Sequence, residues 1–186
     1  MDEDRCDQGG HDLPFCLSRR EFLLTGGTAV AIIALGDLAW AAEKGLALQR
    51  ATYPRRHVGR LSQLTVDQAV YFKYPWDDFN STNMLVKLGV PAGGGIGPDQ
   101  DIVAFSTLCT HMGGLLQGRY KAAHKVLGPC PFHLTTFDLT RHGIVVAGQA
   151  TESLPQIVLE TTRDEIWATG VMGLIYGYHS NLAPRA

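Results

Sequence analysis

The sequence predicts an all-β fold, an antiparallel sandwich or barrel built of small sheets. Two observations carry that expectation: apolar residues recur in short runs, and turns bearing Gly and Pro separate them. A third agrees, since 21 of the 186 residues are glycine, the residue that tight turns favour.

Taken in order, residues 42–54 read as an extended or mobile lead-in. Residues 58–64 and 69–74 read as strands, the second alternating around Val70 and Phe72. Tyr74-Pro75-Trp76-Asp77-Asp78 has the chemistry of a turn, with its two aspartates in solvent. In 83–88, Met84, Val86 and Leu88 alternate with Leu85 and Lys87, which predicts a strand. The glycine-rich run 91–99 is a loop. No Lys-Ser/Thr and no helix follow its glycines, so it is not a phosphate cradle. Strands are expected at 102–106, 144–147, 157–160, 165–169 and 171–175. Gly128-Pro129 leads into a further loop, and 135–138 leaves it. There is no internal repeat and no nucleotide motif.

An apolar share of 45% and a charged share of 18% describe an ordinary globular domain with a sizeable core, with room for one appendage. Net charge is −2, and basic residues cluster no further than pairs such as Arg55-Arg56. The electrostatic footprint of a nucleic-acid binder is missing.

The appendage is N-terminal. Ser18-Arg19-Arg20-Glu21-Phe22-Leu23 precedes a mild apolar stretch that ends near Leu38, and Ala39-Trp40-Ala41 offers a small-x-small cleavage site. The Arg-Arg pair followed by Phe-Leu resembles a twin-arginine signal, whose cargo crosses the membrane already folded. The expected division is therefore 1–41 as signal and 42–186 as the mature domain in the periplasm. The competing reading is an uncleaved membrane anchor. Against it, the apolar run falls short of the roughly 20 residues that span a bilayer, and Gly26-Gly27 and Asp37 interrupt it. Cleavage would remove Cys6, His11 and Cys16. Cys109 and Cys130 would then be the only cysteines left, which is unusual in an exported protein.

Those two cysteines sit in Cys109-Thr110-His111 and, after 18 residues, Cys130-Pro131-Phe132-His133. Each segment supplies one thiolate and one imidazole. That donor set suits a [2Fe–2S] centre of the Rieske type, in which two Cys hold one iron and two His the other. Neutral imidazoles in place of thiolates remove negative charge and raise the reduction potential. A structural zinc site is the alternative, because Cys₂His₂ also binds zinc. Zinc ribbons and fingers, however, pair Cys with Cys and His with His on single elements. One Cys and one His per loop fits two irons better than one tetrahedral ion.

From about Tyr53 to the C-terminus the chain resembles the small, Rieske subunit of arsenite oxidase, a molybdenum enzyme of the bacterial periplasm. The matching residues are Val86-Lys87-Leu88-Gly89, Gly94-Gly95-Ile96-Gly97-Pro98-Asp99, the run 101–106 and the two Cys/His segments. Gly148-Gln149-Ala150-Thr151, Leu154-Pro155 and Gly173-Leu174-Ile175-Tyr176-Gly177 also match, and these blocks are not shared by Rieske proteins at large. The resemblance implies a three-sheet antiparallel domain with the [2Fe–2S] cluster in two loops at one tip. Cys109 and Cys130 would hold the buried iron, and His111 and His133 the outer one. It also implies a large molybdopterin-containing catalytic subunit as partner, with a soluble cytochrome c or cupredoxin as the second redox partner. Iodate reductase pairs a related molybdenum subunit with a similar small subunit and runs electrons inward, so it is the close runner-up. A Rieske ferredoxin of an oxygenase system is disfavoured by the export signal.

The chain departs from many Rieske proteins at two places. Gly114 and Phe132 occupy the positions of a disulfide that clamps the two loops, so the clamp is absent, as it is in some arsenite oxidase subunits. Phe132 is expected to cover the cluster instead. Beyond His133, Thr135 and Phe137 replace a Ser and a Tyr that donate to cluster sulfurs. Thr135 keeps a hydroxyl and Phe137 has none, which predicts a potential below that of respiratory Rieske proteins, within roughly −150 to +300 mV.

The remaining candidates read as structural. His124 is expected at the surface, His57, His142 and His179 lack a partner at ligand spacing, and Trp76 and Trp167 read as packing. No Ser/His/Asp nucleophile or paired-carboxylate site is present. The expectation is an electron-transfer subunit with no substrate chemistry of its own.

Overall fold

The computed structural model describes residues 50–182. The signal segment, its cleavage site and most of the 42–54 lead-in lie outside that range. Among the described residues there are ten strands. They are β1 (Arg56–Arg60), β2 (Ala69–Lys73), β3 (Thr82–Lys87), β4 (Ile102–Ser106), β5 (Tyr120–Lys121), β6 (Val126–Leu127), β7 (Thr136–Asp138), β8 (Ile144–Ala147), β9 (Gln156–Thr162) and β10 (Glu165–Met172). All pair antiparallel, in a six-stranded sheet ordered β1-β10-β9-β4-β3-β2 and a four-stranded sheet ordered β5-β6-β7-β8. The all-β antiparallel expectation is met. No described helix is long and apolar enough to cross a membrane.

β3 and β4 are the centre of the molecule because both of their faces are apolar. Met84, Val86, Val103 and Phe105 point into one core, Leu85, Ile102 and Ala104 into the other, as the two-residue strand period requires. The first core also holds Leu127 of β6, Phe137 of β7 and both cysteines, so it joins the large sheet to the small one. The second packs Ile157, Leu159, Ile166 and Ala168 on the far side.

The three-sheet arrangement implied by the resemblance differs in one detail. The halves β1-β10-β9 and β4-β3-β2 are fused through a seam of two residue pairs, Ala104↔Ile157 and Phe105↔Gln156. Beyond the seam, Ser106 N–H donates to Pro155 O at 2.8 Å.

Two of the expected elements change most. The strand expected at 58–64 stops at Arg60, and Leu61–Gln63 turn into a 3₁₀ helix. Asp164 pulls them there: its carbonyl accepts Leu61 N–H (2.8 Å), and its carboxylate accepts the Ser62 N–H (2.9 Å) and hydroxyl (2.6 Å). The strands expected at 165–169 and 171–175 are one strand, β10, with a bulge between Ala168 and Gly170 and its end at Met172. β5 and β6 are two residues each, too short to show a period.

A polar joint ties the small sheet to the large one. Asp67 accepts Lys125 Nζ at 2.7 and 2.8 Å and the Tyr120 hydroxyl at 2.7 Å, while Tyr71 Oη accepts Gly118 N–H at 2.9 Å. The aspartate pair in the turn after β2 divides in role. Asp77 is exposed and pairs with Arg56 at 2.8 Å, but Asp78 accepts the Ser81 N–H (2.9 Å) and the Tyr178 hydroxyl (2.6 Å), so it is not a solvated turn residue.

Candidate metal centre

The two Cys/His segments fold into two loops of the same hydrogen-bond pattern. Cys109 N–H donates to Gly114 O (2.9 Å), and Gly113 N–H returns to Cys109 O (2.9 Å). Cys130 N–H donates to Thr135 O (2.8 Å), and Leu134 N–H returns to Cys130 O (3.0 Å). The residue four past each cysteine has positive φ, +67° at Gly113 and +59° at Leu134. β4 delivers the first loop, and β6 and β7 bracket the second.

This repeated geometry presents the four side chains as two pairs. Both cysteines are buried, at 0% and 2% exposure, within the first core. The imidazoles stand outside them, His111 half-buried and His133 exposed, with ring centroids 4.6 Å apart and edge to face. Burial holds the Cys109 thiol above its usual pKa. The His111 backbone amide opposes that shift, the adjacent Cys130 thiol adds to it, and the Thr135 hydroxyl lowers it. A proton on the thiol is what a bound metal would replace. Among the described residues no three His, Cys, Asp or Glu side chains converge on one ion position. An inner pair of sulfurs and an outer pair of nitrogens fits a two-iron centre.

Thr135 is fully buried, and its Oγ1 accepts N–H from Gln149 (3.1 Å) and Ala150 (3.3 Å). With the oxygen so occupied, its one hydrogen is left to donate, and the hydroxyl lowers the Cys109 pKa. Gly148 makes this approach feasible: φ is +97°, and a Cβ there would lie 2.3 Å from Thr135 Cα. Phe137 is wholly buried in the first core.

The two loops also carry exposed apolar side chains next to the ligands in the chain: Met112, Leu115, Phe132 and Leu134. Phe132 flanks His133 with centroids 6.4 Å apart and remains 59% exposed, so it shields one side of the site and is not a closed lid. Of these four, the sequence reading named Phe132 alone.

The structural candidates fall as expected, with some partners added. His124 is exposed in a 3₁₀ turn, and His179 is exposed. His57 pairs with Glu165 and meets Trp167 edge-on, while His142 Nδ1 bonds Gln156 Oε1 at 2.8 Å. Trp76 packs on Tyr178, and Trp167 lies under the Arg55 guanidinium. The C-terminal run 173–178 contributes Tyr176, whose ring touches the first loop. Its block was visible in the sequence but its contact was not.

Comparisons with known proteins agree with this geometry. The Rieske [2Fe-2S] domain family matches residues 80–158, a span that contains Cys109, His111, Cys130 and His133. The chain is 59% identical over 170 residues to the iodate reductase subunit IdrB of Denitromonas iodatirespirans, covering 91% of this chain and 89% of that one. It is also 59% identical over 165 residues to the iodate reductase subunit IdrB of Pseudomonas sp. (strain SCT), covering 89% and 84%. Among solved structures, the soluble domain of Rieske protein II (soxF) from Sulfolobus acidocaldarius shares the fold. Its TM-score is 0.59 at 24% identity, over 72% of this chain and 84% of that one. With two relatives matched over nearly their whole length, the chain belongs to the Rieske [2Fe–2S] family, in the line of the IdrB subunits, and holds one such cluster.

Proposed function

We propose that Cys109 and Cys130 hold the inner iron of the cluster and His111 and His133 the outer one. On this reading the chain is the electron-transfer subunit of a periplasmic molybdopterin oxidoreductase, iodate reductase in the first place. The observation that carries the ligand set is the pairing itself: buried sulfurs inside, imidazoles outside, on two loops of one hydrogen-bond pattern. When bound, the cluster takes up and gives out one electron at a time. The chain's own residues do the rest. The two thiolates anchor the centre in the apolar core, and the Thr135 hydroxyl favours the Cys109 thiolate. The same two loops expose Phe132, Leu134, Met112 and Leu115, apolar surface that a docking partner can cover without burying unpaired charge.

Between the two complexes that the resemblance named, iodate reductase takes precedence because both long relatives carry that name at 59% identity. The arsenite oxidase reading rests on the shared motifs alone. Electrons then enter from a soluble cytochrome c or cupredoxin and leave to a large molybdopterin subunit, where the oxygen-transfer chemistry belongs. Export by the twin-arginine route, with cleavage after Ala41, places the mature chain in the periplasm; retention of the segment would instead tether it to the membrane.

The test is anaerobic stopped-flow on the reduced two-subunit complex. Iodate should reoxidise the small-subunit cluster within the complex, and not in the isolated small subunit. Reduction of the oxidised complex by arsenite, with no response to iodate, would restore the arsenite oxidase reading.

A further inference from the structure

We infer that the C-terminal strap braces the first Cys/His loop through the Tyr176 ring, taking the part of the missing disulfide clamp. This rests on the ligand reading above, since the loop matters because it carries Cys109 and His111.

Gly113, two residues after His111, has φ of +67°. A Cβ built on it would lie 2.3 Å from Tyr176 Cε1 and 2.9 Å from both Cδ1 and Cζ. The Tyr176 ring therefore rests directly on the loop backbone, in the space a side chain at 113 would take. The touching atoms are ring carbons, not the hydroxyl.

A brace must itself be held, and the strap is tied on several sides. Asn181 Oδ1 accepts Ile175 N–H (3.1 Å), and its Nδ2 donates to Gly173 O (2.7 Å). Tyr178, two residues past the brace, donates its hydroxyl to Asp78 (2.6 Å) and packs at a tilt against Trp76 with centroids 4.7 Å apart. The strap is thus fastened to the β2–β3 turn, part of the large sheet. Thr110 adds a second tie by donating its hydroxyl to Glu152 O at 2.8 Å. Loop two is fastened separately, through Thr135 to the amides of Gln149 and Ala150. Each loop is thus tied by hydrogen bonds to the surrounding scaffold, in addition to the packing of Phe132 on Gly114, and this is how the site dispenses with a covalent clamp.

Tyr176 is accordingly a positioning residue that acts through Gly113 on His111. Thr110 and Tyr176 both line a cleft of about 760 Å³. Truncating the ring widens that existing space rather than opening the core, so the variant is expected to fold.

The experiment compares wild type, Tyr176→Ala and Tyr176→Phe as full-length holoprotein. Three quantities are read: loss of visible absorbance under an iron chelator, EPR line width of the reduced cluster, and thermal melting. Tyr176→Ala should speed cluster loss on the order of tenfold, as removal of an outer partner of a metal site does, and broaden the EPR lines. Tyr176→Phe should match wild type because it keeps the ring. Unchanged cluster loss and EPR in Tyr176→Ala, with or without a lower melting temperature, would overturn the proposal. So would a Tyr176→Phe variant as labile as Tyr176→Ala. If Tyr176→Ala does not accumulate folded, Tyr176→Leu, which keeps bulk without a flat ring, is read by the same criteria. A wild-type chain without iron and sulfide overturns the ligand assignment instead, a failure separable from this comparison among loaded proteins.

Discussion

Phe132 lies against Gly114: a Cβ built on Gly114 would come within 3.2 Å of Phe132 Cδ2 and 2.5 Å of the Cys130 sulfur. The two positions that hold a disulfide in many Rieske proteins are in contact here, but one partner has no side chain and the other fills the space. A methyl group at 114 would have to displace a ligand sulfur in a core where close packing leaves little slack. Gly114→Ala should therefore yield protein with markedly reduced iron and sulfide, measured by metal analysis of the purified variant. Full cluster occupancy would show that the sulfur can move aside.

Thr135 sets up a test of potential. Its oxygen is filled by two amide donors, which leaves its hydrogen for an acceptor, and the hydroxyl favours the ionised form of Cys109. A donor to sulfur stabilises the reduced, more negative state. Thr135→Val removes that donor while keeping the shape, and should lower the potential by about 40 mV, the one-electron equivalent of about 1 kcal/mol. Phe137→Tyr should move it upward where the new hydroxyl reaches a sulfur. Protein-film voltammetry reads both. A rise in Thr135→Val would contradict the hydrogen-bond account.

Asp67 predicts a pH dependence of the joint between the sheets. Hydrogen bonds from Lys125 and then Tyr120 lower its pKa below the ordinary 3.8. A depressed carboxyl pKa contributes stability that is present above the unfolded value and lost as pH falls through the folded one. Asp67→Asn should cost about 1 kcal/mol near neutral pH, the upper end for a partly exposed pair. The gap from wild type should close as pH drops below about 3.9. Denaturant melts of the cluster-free chain across that range measure it, and a gap independent of pH would remove the ionic explanation.

Export gives an independent prediction. Changing Arg19→Lys together with Arg20→Lys should leave loaded protein in the cytoplasm, because a folded cargo depends on the twin-arginine pair. Fractionation with N-terminal sequencing reads this, with Ala42 expected as the mature start. Persistent export of the double variant would contradict it.

What the sequence disclosed follows from the range of the forces involved. β4 and β8 match their expected bounds, 102–106 and 144–147, because each is a short apolar run closed off by local turns. The Cys-x-His and Cys-x-x-His segments stood out because their spacing is local. Contacts between distant residues did not. Asp164 bends the chain at Leu61 and Ser62 from 102 residues away, and nothing near 58–64 announces it. Gly170 looked like the end of a strand, whereas it marks a bulge inside β10 with Val158 packed close to it. The Thr135 hydroxyl was anticipated as a donor, but its orienting amides at Gln149 and Ala150 come from another loop. Tyr176 stood in a recognised block, yet its role depends on Gly113, 63 positions earlier, having no side chain.

On the proposed ligand set, two histidines and two cysteines of this chain share one two-iron cluster. The most direct measurement is pulsed EPR of the reduced protein, prepared once with natural histidine and once with ¹⁵N-histidine. Iron and sulfide are counted on the same samples. About two irons and two sulfides per chain are expected, with two nitrogen couplings that change isotope with the label and vanish in His111→Cys and His133→Cys one at a time. Stoichiometric zinc without visible absorption, or a cluster signal with no histidine nitrogen coupled to it, would contradict the account.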